Sequence, residues 1–130
     1  MSTQRKARLM ENQISWHAEL QVKPGQWEAL RALTVEMVAS TQPEPGALIY
    51  ERFVSADRQI VHVFERYSDP AAAVAHLASF AALYGERFSA LVERKKFTVF
   101  GTPSAELKQI LDRFGATYSP RFAGFARLHS

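Results

Sequence analysis

The sequence predicts an α+β domain: one antiparallel sheet with helices packed on a single face. Three observations predict it. ISWHAELQV (14–22) alternates apolar and polar residues, the period of a half-buried strand. Two further strand-like runs, ALIYERFV and RQIVHVFERY, are separated only by Ser55-Ala56-Asp57, which is hairpin spacing. A helical pattern follows the first strand and another follows the hairpin, so the order reads β-α-β-β-α-β.

Each element has a local reason. In the first strand Ile14, Trp16, Ala18, Leu20 and Val22 share one side, and Lys23-Pro24-Gly25 ends it. Trp27, Leu30, Thr34 and Met37 recur at steps of three and four, which predicts an amphipathic helix over 26–41. Gln42-Pro43-Glu44-Pro45-Gly46 is a break. The hairpin strands are then 47–54 and 58–67. Asp69 is placed to cap the next helix with Pro70 in its first turn, and the helix is expected to reach about Ser79. Tyr84-Gly85 interrupts before a second helical piece, ERFSALVERK, and KKFTVFG (95–101) is the fourth strand. This order is the ferredoxin-like, or split-βαβ, plan, with a four-stranded sheet and one bare face. Apolar residues of both parities in KKFTVF and RQIVHVF put Phe and Ile on that bare face, so a partner is expected there, most simply a second copy related by a two-fold axis.

The core domain is thus expected over 13–101, behind a loose polar leader (1–12) and ahead of a C-terminal extension (102–130). The extension opens with a third helix, SAELKQILDRF, after Thr102-Pro103-Ser104, and Gly115 stops it. Its tail holds Tyr118, Phe122, Phe125 and Leu128, too aromatic for a disordered segment. A strand or loop packed on the domain or on a partner subunit is expected.

Composition narrows the function classes. At 130 residues, with 47% hydrophobic and 22% charged residues, the chain suits one globular domain. Cysteine is absent, which removes disulfides, thiolate nucleophiles and Cys-type zinc sites. The net charge of +3 is concentrated at the ends, so there is no basic stripe for nucleic acid. No apolar window is long enough to span a membrane, and no apolar run follows the basic start, so a cytoplasmic protein is expected. There is no GxGxxG, Walker loop, GxSxG or HExxH.

Three stretches carry a family likeness: VKPGQWEALRAL, PGALIYERF and FERYSDPAAAVAHL. Over residues 13–101 the chain resembles the antibiotic biosynthesis monooxygenase family of small dimeric α+β-barrel proteins. In that family an acidic residue, an aromatic, a DP-type turn and a helical His recur in that order. Here they are Glu65, Tyr67, Asp69-Pro70 and His76. The resemblance implies a homodimer with facing sheets and, in each subunit, a pocket between the sheet and its own helices. The family the chain resembles includes quinol and polyketide monooxygenases that need no cofactor, haem-degrading enzymes, and many members with no assigned activity. The haem branch uses an Asn on the first strand and a Trp at the end of the third. This chain has Ala18 and Tyr67 there, so no cofactor is expected.

Strand parity extends the list. If Tyr67 faces the helices, so do Val61, Val63 and Glu65, alongside Ile14, Trp16, Ala18 and Leu20 of the first strand. The matching set in the second strand is expected to be Ile49, Glu51 and Phe53. The expected pocket therefore contains Trp16, Glu51, Phe53, Glu65, Tyr67 and His76, with Trp27 and Phe80 as further apolar walls. In this reading His76 or Glu65 is the base, Tyr67 bonds an oxyanion, and the substrates are a small aromatic and molecular oxygen. The alternative for the two glutamates is pairing with Arg52, Arg66 or a lysine near the rim. His76, at the edge of its helix's apolar arc, has an inert reading as well. On the opposite parity His17 and His62, with Glu19, Tyr50, Arg52 and Arg66, form a polar network rather than a metal site, since no ligand spacing such as HxxxH is present. Two other function classes stay open: a non-catalytic dimeric module whose pocket is plugged by side chains, and a cofactor-free isomerase or decarboxylase.

Overall fold

The computed structural model of the chain describes residues 12–127. The leader lies almost wholly outside these residues, as does Leu128. The elements are β1 (Ile14–Val22), α1 (Trp27–Thr41), β2 (Ala47–Val54), β3 (Ile60–Tyr67), α2 (Pro70–Leu83), α3 (Gly85–Ser89), β4 (Val92–Phe100), α4 (Ala105–Asp112) and β5 (Thr117–Ser119). The sheet order is β2-β3-β1-β4-β5. The first four strands pair antiparallel in the ferredoxin-like arrangement.

Two boundaries and the strand count differ most from expectation. Helix α2 continues to Leu83, because its run of alanines and apolar residues contains no breaker before Gly85. Strand β4 begins at Val92 rather than Lys95 and takes up the last four residues of the expected second helical piece, whose first four lie in α3. The sheet also gains a fifth strand: β5 runs parallel to β4, and Gly101 donates its N–H to the Ser119 carbonyl at 3.0 Å. The tail thus supplies a strand, but Phe122 and Phe125 beyond it are exposed.

The core forms where the alternation of β1 says it must. Ile14, Trp16, Ala18, Leu20 and Val22 are all buried, and their intervening neighbours are not. Val61, Val63 and Tyr67 of β3 and Val92, Phe97 and Val99 of β4 join them on the same face. Leu30 of α1, Ala73 of α2, and Leu107 and Leu111 of α4 close the core from the helix side. Each such aliphatic or aromatic side chain contributes about 1.5–3 kcal/mol on burial, so this face dominates the fold's stability. Asp69 caps α2 by accepting from the Ala72 N–H at 2.8 Å, and Ser104 caps α4 through the Leu107 N–H at 3.2 Å.

Two irregularities in the sheet matter for the site. A register shift between Ala47 and Ile49 sets Tyr50 opposite Glu65 and Arg52 opposite Val63. A second shift, between Glu19 and Leu20, pairs Glu19 with Lys96 but Leu20 with Arg94. Lys95 is therefore an extra residue, a bulge that turns Arg94 onto the helix-covered face.

Candidate active site

Residues converge on one buried carboxylate. Glu65 projects from β3 into the layer between sheet and helices and is only 7% exposed. An unpaired carboxylate there would be costly. It is instead held by three neighbours. Arg52 Nη2 donates to Oε2 at 2.7 Å, Tyr67 OH donates to Oε1 at 2.5 Å, and His76 Nε2 lies 3.6 Å from Oε1. Tyr67 is two residues along the same strand, so the pleat puts both side chains on one face. Burial, and then the Glu65 charge, raise the Tyr67 hydroxyl pKa far above its ordinary value, so it stays a neutral donor.

His76 comes from the second turn of α2 and is 5% exposed. Its Nδ1 lies 3.0 Å and 3.2 Å from the two carboxylate oxygens of Glu44. A carboxylate only accepts, so Nδ1 carries the proton and the lone pair of neutral His76 is at Nε2, on the side of Glu65. Glu44 reaches the ring because the Pro43–Gly46 loop lies directly against the start of α2. The Gly46 carbonyl accepts the Ser68 N–H at 2.9 Å, and a Cβ at Gly46 would come within 2.5 Å of the Ala72 Cβ. Only glycine allows that approach.

Aromatic rings fill the surroundings. Tyr67 packs 5.1 Å from His76 and 5.0 Å from Trp16, ring centre to ring centre, and Tyr50 meets the edge of His76 at 5.5 Å. The Arg52 guanidinium lies 3.5 Å over the Tyr50 ring, a cation–π contact that also fixes its fork toward Glu65. Burial pushes the Tyr50 pKa up to about 12, so this phenol too remains neutral. Arg52 Nε and Nη1 are buried without a hydrogen-bond partner.

A cavity of about 50 Å³ opens beside this network. Glu65, His76 and Arg52 line its polar side, and Leu77, Phe80, Phe88, Phe97 and Phe114 its apolar side. It holds a few water-sized molecules.

Of the residues expected from sequence, Glu65, His76 and Phe80 line the cavity, while Tyr67 and Trp16 stand behind it as buried support. Glu51 and Phe53 do not come to it. The register shift in β2 reverses the expected parity, so both point to the other face and are exposed, and Tyr50 and Arg52 take their place. Trp27 lies elsewhere, under Arg58 near the end of the hairpin. The sequence reading missed Glu44, the inward placing of Arg52 and Tyr50, and Arg94. Glu44 left one signal, an acid set between two prolines in a loop leading to the strand beside the site. On the bare face His17 and His62 do form a polar pair, Nε2 to Nδ1 at 2.9 Å with nearly parallel rings. Among the described residues no group of three or more His, Cys, Asp or Glu side chains is arranged to hold a metal.

The fold and this network can now be set beside known proteins. The family model for antibiotic biosynthesis monooxygenases matches residues 14–94. The chain belongs to that family. Among solved structures, it is similar to MupZ from Pseudomonas fluorescens, with 24% identity, a TM-score of 0.76, and coverage of 89% of this chain and 95% of that one. Protein SO0527 from Shewanella oneidensis is 31% identical at a TM-score of 0.55, with 68% of this chain and 87% of that one covered. SnoaB from Streptomyces nogalater, a cofactor-independent oxygenase, shares the fold at a TM-score of 0.60 with 14% identity, over 72% of this chain and 96% of that one. No curated protein matches the chain. Among the described residues no helix is long and apolar enough to cross a membrane.

Proposed function

We propose that the protein is a cofactor-independent monooxygenase of the cytoplasm that oxidises a small aromatic, phenolic or quinol substrate in the cavity beside Glu65. The observation that carries this reading is the Glu44–His76–Glu65 chain, in which an imidazole of the cavity lining is held in one tautomer with its free nitrogen on the Glu65 side. His76 Nε2 is the base. It removes a proton from the substrate, and the imidazolium then lies between two carboxylates, one 3.0 Å and one 3.6 Å away. The resulting anion supplies the electrons for dioxygen. One oxygen atom bonds to the activated ring carbon and becomes a carbonyl, and the other leaves as water with the hydrogens lost from the substrate. The protein's part is to deprotonate, to exclude water and to hold the anion. Tyr67 cannot serve as the oxyanion donor while its proton is committed to Glu65, so its role is to position that carboxylate. The cavity takes dioxygen as it stands. A ring must enter by outward movement of Phe88, which sits on α3, a five-residue helix with no buried residue of its own.

The family's fold is dimeric as a rule, and we propose that this chain forms a homodimer through the bare sheet face. Phe53, Phe64 and Phe100 there are all exposed in the single chain.

The size of the cavity favours a second reading, a non-catalytic dimeric module whose pocket is filled by side chains. Substrate cavities more often measure about 300–1,000 Å³. Oxygen uptake with a panel of quinols separates the two. The enzyme reading expects consumption by wild type and a loss of about 10²–10⁴-fold in His76→Ala. No consumption with any quinol sinks the enzyme reading, and undiminished consumption by His76→Ala removes His76 from the chemistry. Turnover of a substrate without oxygen consumption would instead point to a cofactor-free isomerase or decarboxylase using the same base.

A further inference from the structure

One charged side chain at the cavity has no oppositely charged partner among the described residues. Arg52 is matched by Glu65, and His76 is flanked by Glu44. Arg94 also lines the cavity, and among the described residues no carboxylate pairs with it. It is there because of the bulge at Lys95. Strict alternation back from Phe97 and Val99 would have turned Lys95 and Glu93 toward the helices and Arg94 away from them. The extra residue exchanges the two sets, and Lys95 and Glu93 pair with each other outside at 3.0 Å. Bulges next to ligand sites re-aim side chains in this way.

The surroundings of Arg94 fit ligand binding better than support of the fold. Its guanidinium lies 4.7 Å over the Phe114 ring and 5.8 Å from that of Phe97, so aromatic faces hold the head group in the cavity wall. Partial desolvation there lowers its pKa from the ordinary arginine value without removing its charge. The residue as a whole remains exposed, so its charge is open to an incoming group. The same cavity is lined by the apolar side chains of Phe80, Phe88 and Leu77 and by His76.

We propose that Arg94 determines specificity at this cavity, and that the ligand is an aromatic compound carrying a carboxylate, its charge on Arg94 and its ring directed inward along Phe88. The proposal takes the cavity beside Glu65 as the substrate site. It concerns binding, so it stands or falls independently of whether the bound compound is oxidised. A guanidinium presents paired N–H donors that match the two oxygens of a carboxylate, which gives direction as well as charge complementarity. The cation also selects against positively charged compounds and gives no advantage to neutral ones.

The test is an NMR titration of the full-length protein with benzoate and with its neutral isostere benzamide. Backbone amide shifts report both affinity and place. Wild type is expected to bind benzoate about tenfold more tightly than benzamide, the scale of one partly screened charge-assisted hydrogen bond. The shifts should centre on Leu77, Phe88 and Phe114. In Arg94→Gln the preference should vanish, with benzamide affinity unchanged, and Arg94→Lys should restore part of it. An unchanged spectrum away from residue 94 shows that the Gln variant is folded. Four results overturn the proposal: equal affinity for the two ligands in wild type, retained preference in Arg94→Gln, no binding of either, or shifts centred on Arg66 and Arg121 at the other face. Oxygen uptake with quinols is measured separately, and its absence would leave a benzoate preference, and this proposal, intact.

Discussion

The two faces of the sheet hold similar residue types to opposite effect. The covered face sets Arg52, Glu65, Tyr67 and His76 in one buried network whose glutamate is satisfied on both oxygens. The bare face sets His17, His62, Glu19, Glu51 and Lys96 among exposed phenylalanines, and its close polar contacts include the imidazole pair and the exposed Glu93–Lys95 ion pair. Burial makes the difference. Under the helices each charge must have a fixed partner, so geometry is preorganised and a defined base results. On the open side water satisfies the same groups, and no single arrangement is enforced until another surface covers them.

The largest contrast should come from deleting one carboxylate on each face. Glu65→Ala leaves Arg52 partly buried without its anion, and a loss of about 3–5 kcal/mol in unfolding free energy is expected. Glu51→Ala, on an exposed position of the adjacent strand, should stay within about 0.5 kcal/mol of wild type. Urea denaturation followed by circular dichroism measures both. Equal effects would mean that the buried network contributes nothing special.

The next effect concerns association. Phe64 stands on the bare face, with its ring near those of Phe53 and His17. If this face meets its copy, Phe64→Glu puts two charges into a desolvated interface, and a weakening of about 2 kcal/mol or more is expected. Sedimentation velocity should show monomers at concentrations where wild type is dimeric. The variant's spectrum and thermal midpoint, measured where wild type is also monomeric, should hardly move. Dimers of unchanged affinity would place the interface elsewhere.

What could be read in advance follows the same division. The β1 face was legible because ISWHAELQV alternates cleanly and burial follows the alternation. The hairpin and the Asp69 cap were legible from turn and cap residues. ALIYERFV was not, because it is apolar at both parities, and a single register shift decides which half faces the helices. That shift is a backbone event with no residue signature in the strand, and it removed Glu51 and Phe53 from the cavity while bringing in Arg52. The Lys95 bulge hid Arg94 in the same way. Glu44 was hidden for a different reason: its contact with His76 joins residues 32 apart through the close approach at Gly46, and no periodicity encodes such a contact.

The smallest expected effect is the pH response of the bare face. The His17 pKa is lowered from 6.5, first by burial, then by the His62 charge and by Lys96, with Glu19 opposing. The sign follows. Between the lowered folded value and 6.5 the unfolded chain binds the proton and the folded chain does not, so stability rises with pH in that window. The contribution is complete above 6.5 and is lost as the pH falls through 6.5 toward the folded value. The thermal midpoint should therefore drop slightly on mild acidification, and His17→Gln should flatten that slope. Covering the face desolvates His17 further, so the slope should steepen at protein concentrations where dimers form. A slope independent of concentration would mean that His17 lies outside the interface, even if Phe64 is within it.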